Sequence, residues 1–243
     1  MNLRKEIFSL SRYFKIFKTG KKGVYVEGLS GPRRRVFLPF ILNENISCLI
    51  GMILGDGHLK KEKKRIAFEV TQKSLVELFL SLMKKSFLIN GSIKKRIEKL
   101  ENRKQRYYTN ITNAPIYILL NKVYNIPIGK KSRIIEVSPL ILKGNKRVKL
   151  FFLFGVLLTD GGRRRRGFGF SSSSKSFRDN VFTLLSEFEI KCSLDEWKHK
   201  TYKKIYYGLF FKKAELSKLM RECRSGQTGQ ILQELRKKFF VEG

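Results

Sequence analysis

A chain of 243 residues that is 42% hydrophobic and 12% aromatic has the material for one large core or two smaller ones. Its 52 Lys and Arg face only 20 Asp and Glu, a formal net charge of +32, and such self-repulsion is tolerable where a polyanion neutralises it. Nucleic acid is the leading partner, since each neutralised phosphate releases condensed counterions.

No apolar run approaches the roughly 18–20 residues of a membrane span. The basic residues are spread along the whole chain, which argues against an anionic membrane surface read by one amphipathic helix. The two histidines, His58 and His199, leave little for a zinc site or a histidine-based triad. Cys48, Cys192 and Cys223 have no metal-ligand spacing and read as reduced thiols. The expected location is therefore the cytoplasm or nucleoid of an archaeal or bacterial cell. An organellar transit segment at the basic, amphipathic N-terminus is the alternative.

Three segments are expected: an N-terminal basic extension (1–40) and two halves (41–143 and 144–243). The extension reads as an arm of short strands and turns, punctuated by Gly20, Gly23, Gly28 and Gly31-Pro32, with Arg33–Arg35 as a phosphate-contacting cluster or a solvated loop. Asn43 or Asn45 can cap a helix over about 44–56. His58–Lys64 reads as a basic loop. Arg65–Thr71 alternates strictly, with Ile66, Phe68 and Val70 on one face, and is a half-buried strand. Ser74–Leu88 has Leu75, Leu78, Phe79 and Leu82 at helical spacing. A polar hairpin over Ser92–Thr112, bending near Glu101–Arg103, precedes a helix over Pro115–Tyr124 and a loop at Ile126–Lys131.

The second half repeats this order. A helix ends at Asp160, Arg163–Arg166 is a basic loop, and residues 167–174 (GFGFSSSS) form a strand in which Phe168 and Phe170 correspond to Ile66 and Phe68. Ser176–Phe188 is a helix, Ile190–Phe211 a polar, aromatic hairpin, and Ala214–Cys223 a helix. The repeated order argues for duplication and a pseudo-twofold molecule.

The most informative stretches are Leu49–Gly57 (LIGMILGDG) and Leu153–Gly161 (LFGVLLTDG). Each is an apolar run ending in Asp-Gly. Gly51 and Gly55, and Gly155 and Thr159, lie four apart, on one helix face, where small side chains admit a second helix backbone. Gly57 and Gly161 stand where a helix commonly stops. Asp56 and Asp160 then sit at helix C-termini, against the negative end of the dipole, an unfavourable term of roughly 0.3–1 kcal/mol. A shared divalent cation would relieve both that and their mutual repulsion. The bland alternative is two unrelated buried helices, but two copies in so basic a chain favour the functional reading.

These two nine-residue stretches resemble the paired signature of the LAGLIDADG homing endonucleases, in the single-chain form with two motifs. The resemblance covers about residues 36–243. It implies an α+β fold of two pseudo-symmetric αββαββα halves, motif helices packed at the dyad, and two saddle-shaped antiparallel sheets on DNA. It implies a monomeric, site-specific double-strand DNA endonuclease that uses two or more Mg²⁺ ions (Mn²⁺ substituting), cuts a long pseudo-palindromic site to short 3′ overhangs, and is encoded within an intron. By resemblance Asp56 and Asp160 are metal ligands, with the Gly55 and Thr159 carbonyls as lesser ones. Lys130, with Lys131 close behind, and Gln227 would position water or oppose transition-state charge. Alternate residues of the strands would reach base edges in the major groove: Arg65, Glu69, Lys94, Arg96, Arg106, Tyr108 and Asn110 in the first half, and Ser171, Ser173, Lys198, Lys200 and Tyr206 in the second. His58 follows the first motif and reads either as a substrate contact or as a lone surface histidine. Two alternatives stay open: an RNA maturase bound to intron RNA, and a non-catalytic DNA-binding protein on the same scaffold.

Overall fold

The structure, a computed structural model, describes residues 2–29, 35–96, 105–164, 167–199, 201, 203–223 and 229–241. Among these, no helix is long and apolar enough to cross a membrane. The bend expected near 101–103 and the residues Lys200 and Gln227 lie outside the described residues.

The first half runs α2 (Glu44–Gly55), β4 (Gly57–Lys60), β5 (Arg65–Val70), α3 (Lys73–Phe87), β6 (Lys94–Arg96), β7 (Arg106–Thr112) and α4 (Ala114–Lys122). The second repeats it as α6 (Lys146–Thr159), β8 (Gly162–Arg164), β9 (Gly167–Ser172), α7 (Lys175–Ser186), β10 (Cys192–Lys198), β11 (Ile205–Phe211) and α8 (Lys213–Arg221). Each half has the order αββαββα. A short α5 (Pro139–Leu142) leads into α6, and α9 (Gly229–Arg236) runs into a π-helical turn at Lys237–Val241. The two halves build separate four-stranded antiparallel sheets, ordered β4-β5-β7-β6 and β10-β11-β9-β8.

Asparagine side chains start both motif helices. Asn43, the first of the two expected candidates, accepts from the Ile46 amide at 3.1 Å, and Asn145 accepts from the Val148 amide at 3.0 Å. The helices run side by side in the same sense. The Arg147 guanidinium meets the Glu44 carboxylate at 2.6 Å at one end, and Gly55 faces Thr159 at the other. Between them nothing larger than glycine fits. A Cβ on Gly51 would stand 2.4 Å from the Phe152 carbonyl oxygen, and one on Gly155 would stand 2.1 Å from that of Cys48.

Behind the sheets lies one continuous core. Ile66 and Phe68 of β5 point inward, and Phe68 stacks on Phe79 of α3 at 4.5 Å. In the second half Phe170 of β9 meets Phe177 of α7 edge-on at 5.9 Å.

Four local readings are corrected. His58–Lys64 is not all loop: β4 pairs with β5, Leu59 opposite Ile66 and His58 opposite Ala67. Arg163–Arg166 likewise contributes to β8, where Arg163 pairs with Phe168. Both strands are only three or four residues long, so the two-residue alternation that marks a strand had no room to show. The described residues of 1–40 do contain the expected short strands, but packed on the first half instead of standing apart as an arm. A helix α1 (Arg4–Ser9) and an antiparallel sheet of β1 (Phe14–Thr19), β2 (Gly23–Gly28) and β3 (Arg35–Pro39) bury Leu3, Ile7, Phe14, Val24, Val26, Val36 and Leu38, with β2 and β3 set against α3 and α4. Finally, Gly57 and Gly161 do follow the helix ends as expected, but not as left-handed caps, for their φ angles are not positive. They are small because the chain doubles back: a Cβ on Gly161 would lie 2.3 Å from the Leu157 carbonyl oxygen.

Candidate active site

Asp56 and Asp160 are the last, still helical, residues of the motif helices; the Asp160 amide donates to Val156 O at 2.9 Å. Because the helices touch through glycine, the two tips arrive together. A Cβ on Gly55 would lie 2.0 Å from Thr159 Oγ1 and 3.4 Å from the Asp160 carboxyl carbon. The Thr159 hydroxyl is itself satisfied inside its helix, donating to Gly155 O at 3.0 Å.

Two lysines close the helix ends. The Lys131 ammonium donates to the carbonyls of Ile53 (2.5 Å), Leu54 and Gly55 (2.6 Å). The Lys238 ammonium donates to those of Leu158 (2.6 Å) and Thr159 (3.0 Å). These are carbonyls that a helix leaves without intrahelical partners, at the negative end of its dipole, and a cation is the favourable cap for both reasons. The expected lesser metal ligands, the Gly55 and Thr159 carbonyls, thus accept from lysine here.

The charges form one cluster across the halves. Burial pushes the Lys131 ammonium down to about 8, opposed first by Asp160 and then by Asp56. Solvent reaches Asp56, yet the surrounding protein desolvates its carboxylate and raises its pKa, against Lys238 first, then Lys131 and Arg106. Asp56, Thr159 and Lys238 line an open cleft of about 320 Å³ with Glu69, Gln72 and Arg106.

Lys131 rather than Lys130 reaches the helix tip; Lys130 is exposed. The loop is held by the Gly129 amide, which donates to Leu59 O at 2.8 Å, and it turns at Gly129, whose φ of +78° only glycine adopts without strain. Lys238 was missed. It rides on the turn after α9, whose Ile231, Leu235 and Phe239 are buried at spacings of four. That spacing was a readable helix signal. On the helix side, Ser74 of α3 donates to the buried Glu234 of α9 at 2.7 Å, tying this segment to the first half.

The register of the first sheet sets Arg65, Glu69, Lys94, Arg96, Arg106, Tyr108 and Asn110 on one face, opposite the core face of Ile66 and Phe68. The Glu69 carboxylate forms ion pairs with the Arg96 (3.0 Å) and Arg106 (3.5 Å) guanidinium groups, which occupies its charge. His58 shares this face; burial, then Lys60 and Lys131, lower its pKa. In the second sheet Ser171 and Tyr206 share the open face, with Trp197 directly opposite Tyr206. Ser173 follows β9 and donates to Ser132 O at 2.6 Å. Lys198 pairs with Ile205 and lies on the other face, a one-residue difference that turns a side chain over.

The fold and this paired helix-tip cluster define a class. The LAGLIDADG-like domain family matches residues 43–122 and 147–224, and the chain belongs to that family. Over 181 residues it is 28% identical to a replication factor C small subunit of Methanocaldococcus jannaschii, a match spanning 74% of this chain and 9% of that relative's length. Among solved structures it resembles the homing endonuclease I-DmoI in complex with DNA and Ca, with a TM-score of 0.55, 15% identity and coverage of 76% of this chain and 92% of that one. It also resembles the homing endonuclease I-WcaI bound to its DNA recognition sequence (0.53, 17%, 81% and 86%) and the N-terminal LAGLIDADG domain of WhiA (0.52, 18%, 80% and 88%).

Proposed function

We propose that this chain is a metal-dependent endonuclease that hydrolyses both strands of duplex DNA at a specific site, acting as a monomer because both halves of the site are in one chain. The carrying observation is the joint arrival of Asp56 and Asp160 at touching helix tips, each beside a lysine. The helix dipoles by themselves disfavour a carboxylate at either C-terminal tip.

The donor set fits a hard divalent cation. Asp56 and Asp160 are oxygen ligands, and no cluster of three or more His, Cys, Asp or Glu competes among the described residues. Waters and phosphate oxygens fill such a shell readily. When bound, the ion supplies a more acidic water and neutralises phosphate charge. The chain's own part is positional. Paired glycines set the carboxylates side by side. Lys131 and Lys238 hold positive charge beside the place where charge develops on the phosphate, and Arg106 extends it toward the basic sheet face.

That face, with Arg65, Lys94, Arg96, Arg106 and Asn110 in register, supports duplex recognition through groove and phosphate contacts. The I-DmoI and I-WcaI complexes, which hold DNA on the same fold, support the same reading.

The test is cleavage of a duplex selected by binding. With Mg²⁺ the wild type cuts both strands, and end mapping reads the overhang. Asp56→Asn and Asp160→Asn abolish cutting while binding persists. Wild-type cutting by either variant removes that aspartate from the site.

A further inference from the structure

The open faces of the two sheets differ in kind. The first presents Lys60, Arg65, Lys94, Arg96, Arg106 and Asn110, side chains rich in hydrogen-bond donors. Among the described side chains, the second, read from the same register logic, presents Gly167, Gly169, Ser171 and Ser193, with Asp195 as its acid. Over this low floor lies an aromatic slab. Trp197 stacks on its cross-strand partner Tyr206 at 6.1 Å, with the rings 18° apart, and approaches Phe210 at 6.4 Å.

Gly208 makes the slab possible. A Cβ there would lie 2.6 Å from both the Trp197 and Phe210 rings, so only glycine lets them close over the strand. Trp197 shields Phe210, which is buried although it points to the open side. Trp197 itself remains 37% exposed. Folding therefore accounts for Phe210 and leaves the outer edge of Trp197 facing whatever lies on the sheet.

We infer that the second sheet reads its half of the duplex through apolar contact between the Trp197 slab and thymine 5-methyl groups, while the first sheet reads its half through hydrogen bonds. This rests on the proposal that both open faces meet duplex DNA. The major-groove edge of thymine is the one base edge that carries an apolar group, and an apolar side-chain surface such as an aromatic ring discriminates there by burying it. Arginine and asparagine, the first sheet's instruments, instead pair with guanine and adenine. The target is then chemically unequal in its two halves, although the scaffold is nearly symmetric.

The experiment selects bound duplexes from a random library with the full chain, then replaces thymine by uracil in one half-site at a time. Uracil lacks only the methyl and leaves the protein untouched. Uracil under the second sheet weakens binding about three- to fourfold for each methyl that was buried. Uracil under the first sheet leaves binding unchanged, and Trp197→Ala removes the difference between the halves. Equal sensitivity of both half-sites, or none in either, overturns the inference while leaving the nuclease reading intact. Failure to select any duplex overturns both.

Discussion

Lys131 and Asp160 come from different halves, yet Asp160 is the acid that acts most strongly on the Lys131 ammonium while that ammonium caps the other motif helix at Gly55. Lys238 reciprocates: it caps the second helix at Thr159 and is the base that acts most strongly on Asp56. Each lysine thus serves the carbonyls of its own half and the carboxylate of the other.

Crossed charges of this kind predict that the halves fail together. Lys131→Met and Lys238→Met each slow cutting of both strands by roughly 100-fold, the scale of losing one oriented donor at a developing anion. Duplex binding changes little. Single-turnover rates for each strand, measured on nicked and intact target, show whether one lysine serves one strand only.

Gly155→Ala forces a Cβ to within 2.1 Å of the Cys48 carbonyl, a backbone atom that cannot step aside. The helices must separate, at a cost of about 1–3 kcal/mol or more. Urea titration reads the loss of stability, and cleavage falls further than stability alone accounts for because the aspartates part with the helices.

Leu235→Ala opens a cavity under α9, where Leu235 is wholly buried. The expected cost is about 2–5 kcal/mol. Because α9 positions Lys238, activity drops at temperatures where far-UV circular dichroism still reports a folded chain.

The Glu44–Arg147 pair ties the other ends of the motif helices. Burial works to raise the Glu44 carboxyl, but its own backbone hydrogen bond and Arg147 outweigh it and hold the pKa below 4.5. A carboxyl depressed on folding adds stability above its unfolded pKa and loses it as pH falls through the folded value. Glu44→Gln is therefore less stable than wild type above about pH 4.5, by under about 1 kcal/mol for so exposed a pair. The two melting curves converge on further acidification.

With a net charge of +32, binding depends steeply on salt. Raising salt from roughly 50 to 200 mM weakens duplex affinity by about 10³-fold or more if six or more phosphates are contacted. A flat response in a filter or anisotropy titration removes the electrostatic reading.

The parts of this molecule written in neighbouring residues were legible beforehand. LIGMILGDG and LFGVLLTDG announce two helices that must touch, since Gly51 and Gly155 leave no other use for that face. The alternation in Arg65–Thr71 set the correct face of β5, and every first-half strand residue singled out for DNA falls on one side. Short strands were invisible: β4 and β8 are too brief to alternate, and the hydrophobic face of residues 1–40 was obscured by the lysines between its apolar positions.

What the sequence by itself determined is the duplicated order of helix, strand, helix, hairpin and helix, and the acid that ends each motif helix, because helix and strand periodicities act over a few residues; the full αββαββα plan, with its brief first strands, was implied by the family resemblance alone. Only the tertiary structure decided which bases join them. Lys131 meets Gly55 across 76 positions and Lys238 meets Thr159 across 79. One arrives on a glycine turn pinned to β4, the other on a helix that crosses to the first half. No local spacing encodes such arrivals, since they depend on how long segments pack back onto the helix tips.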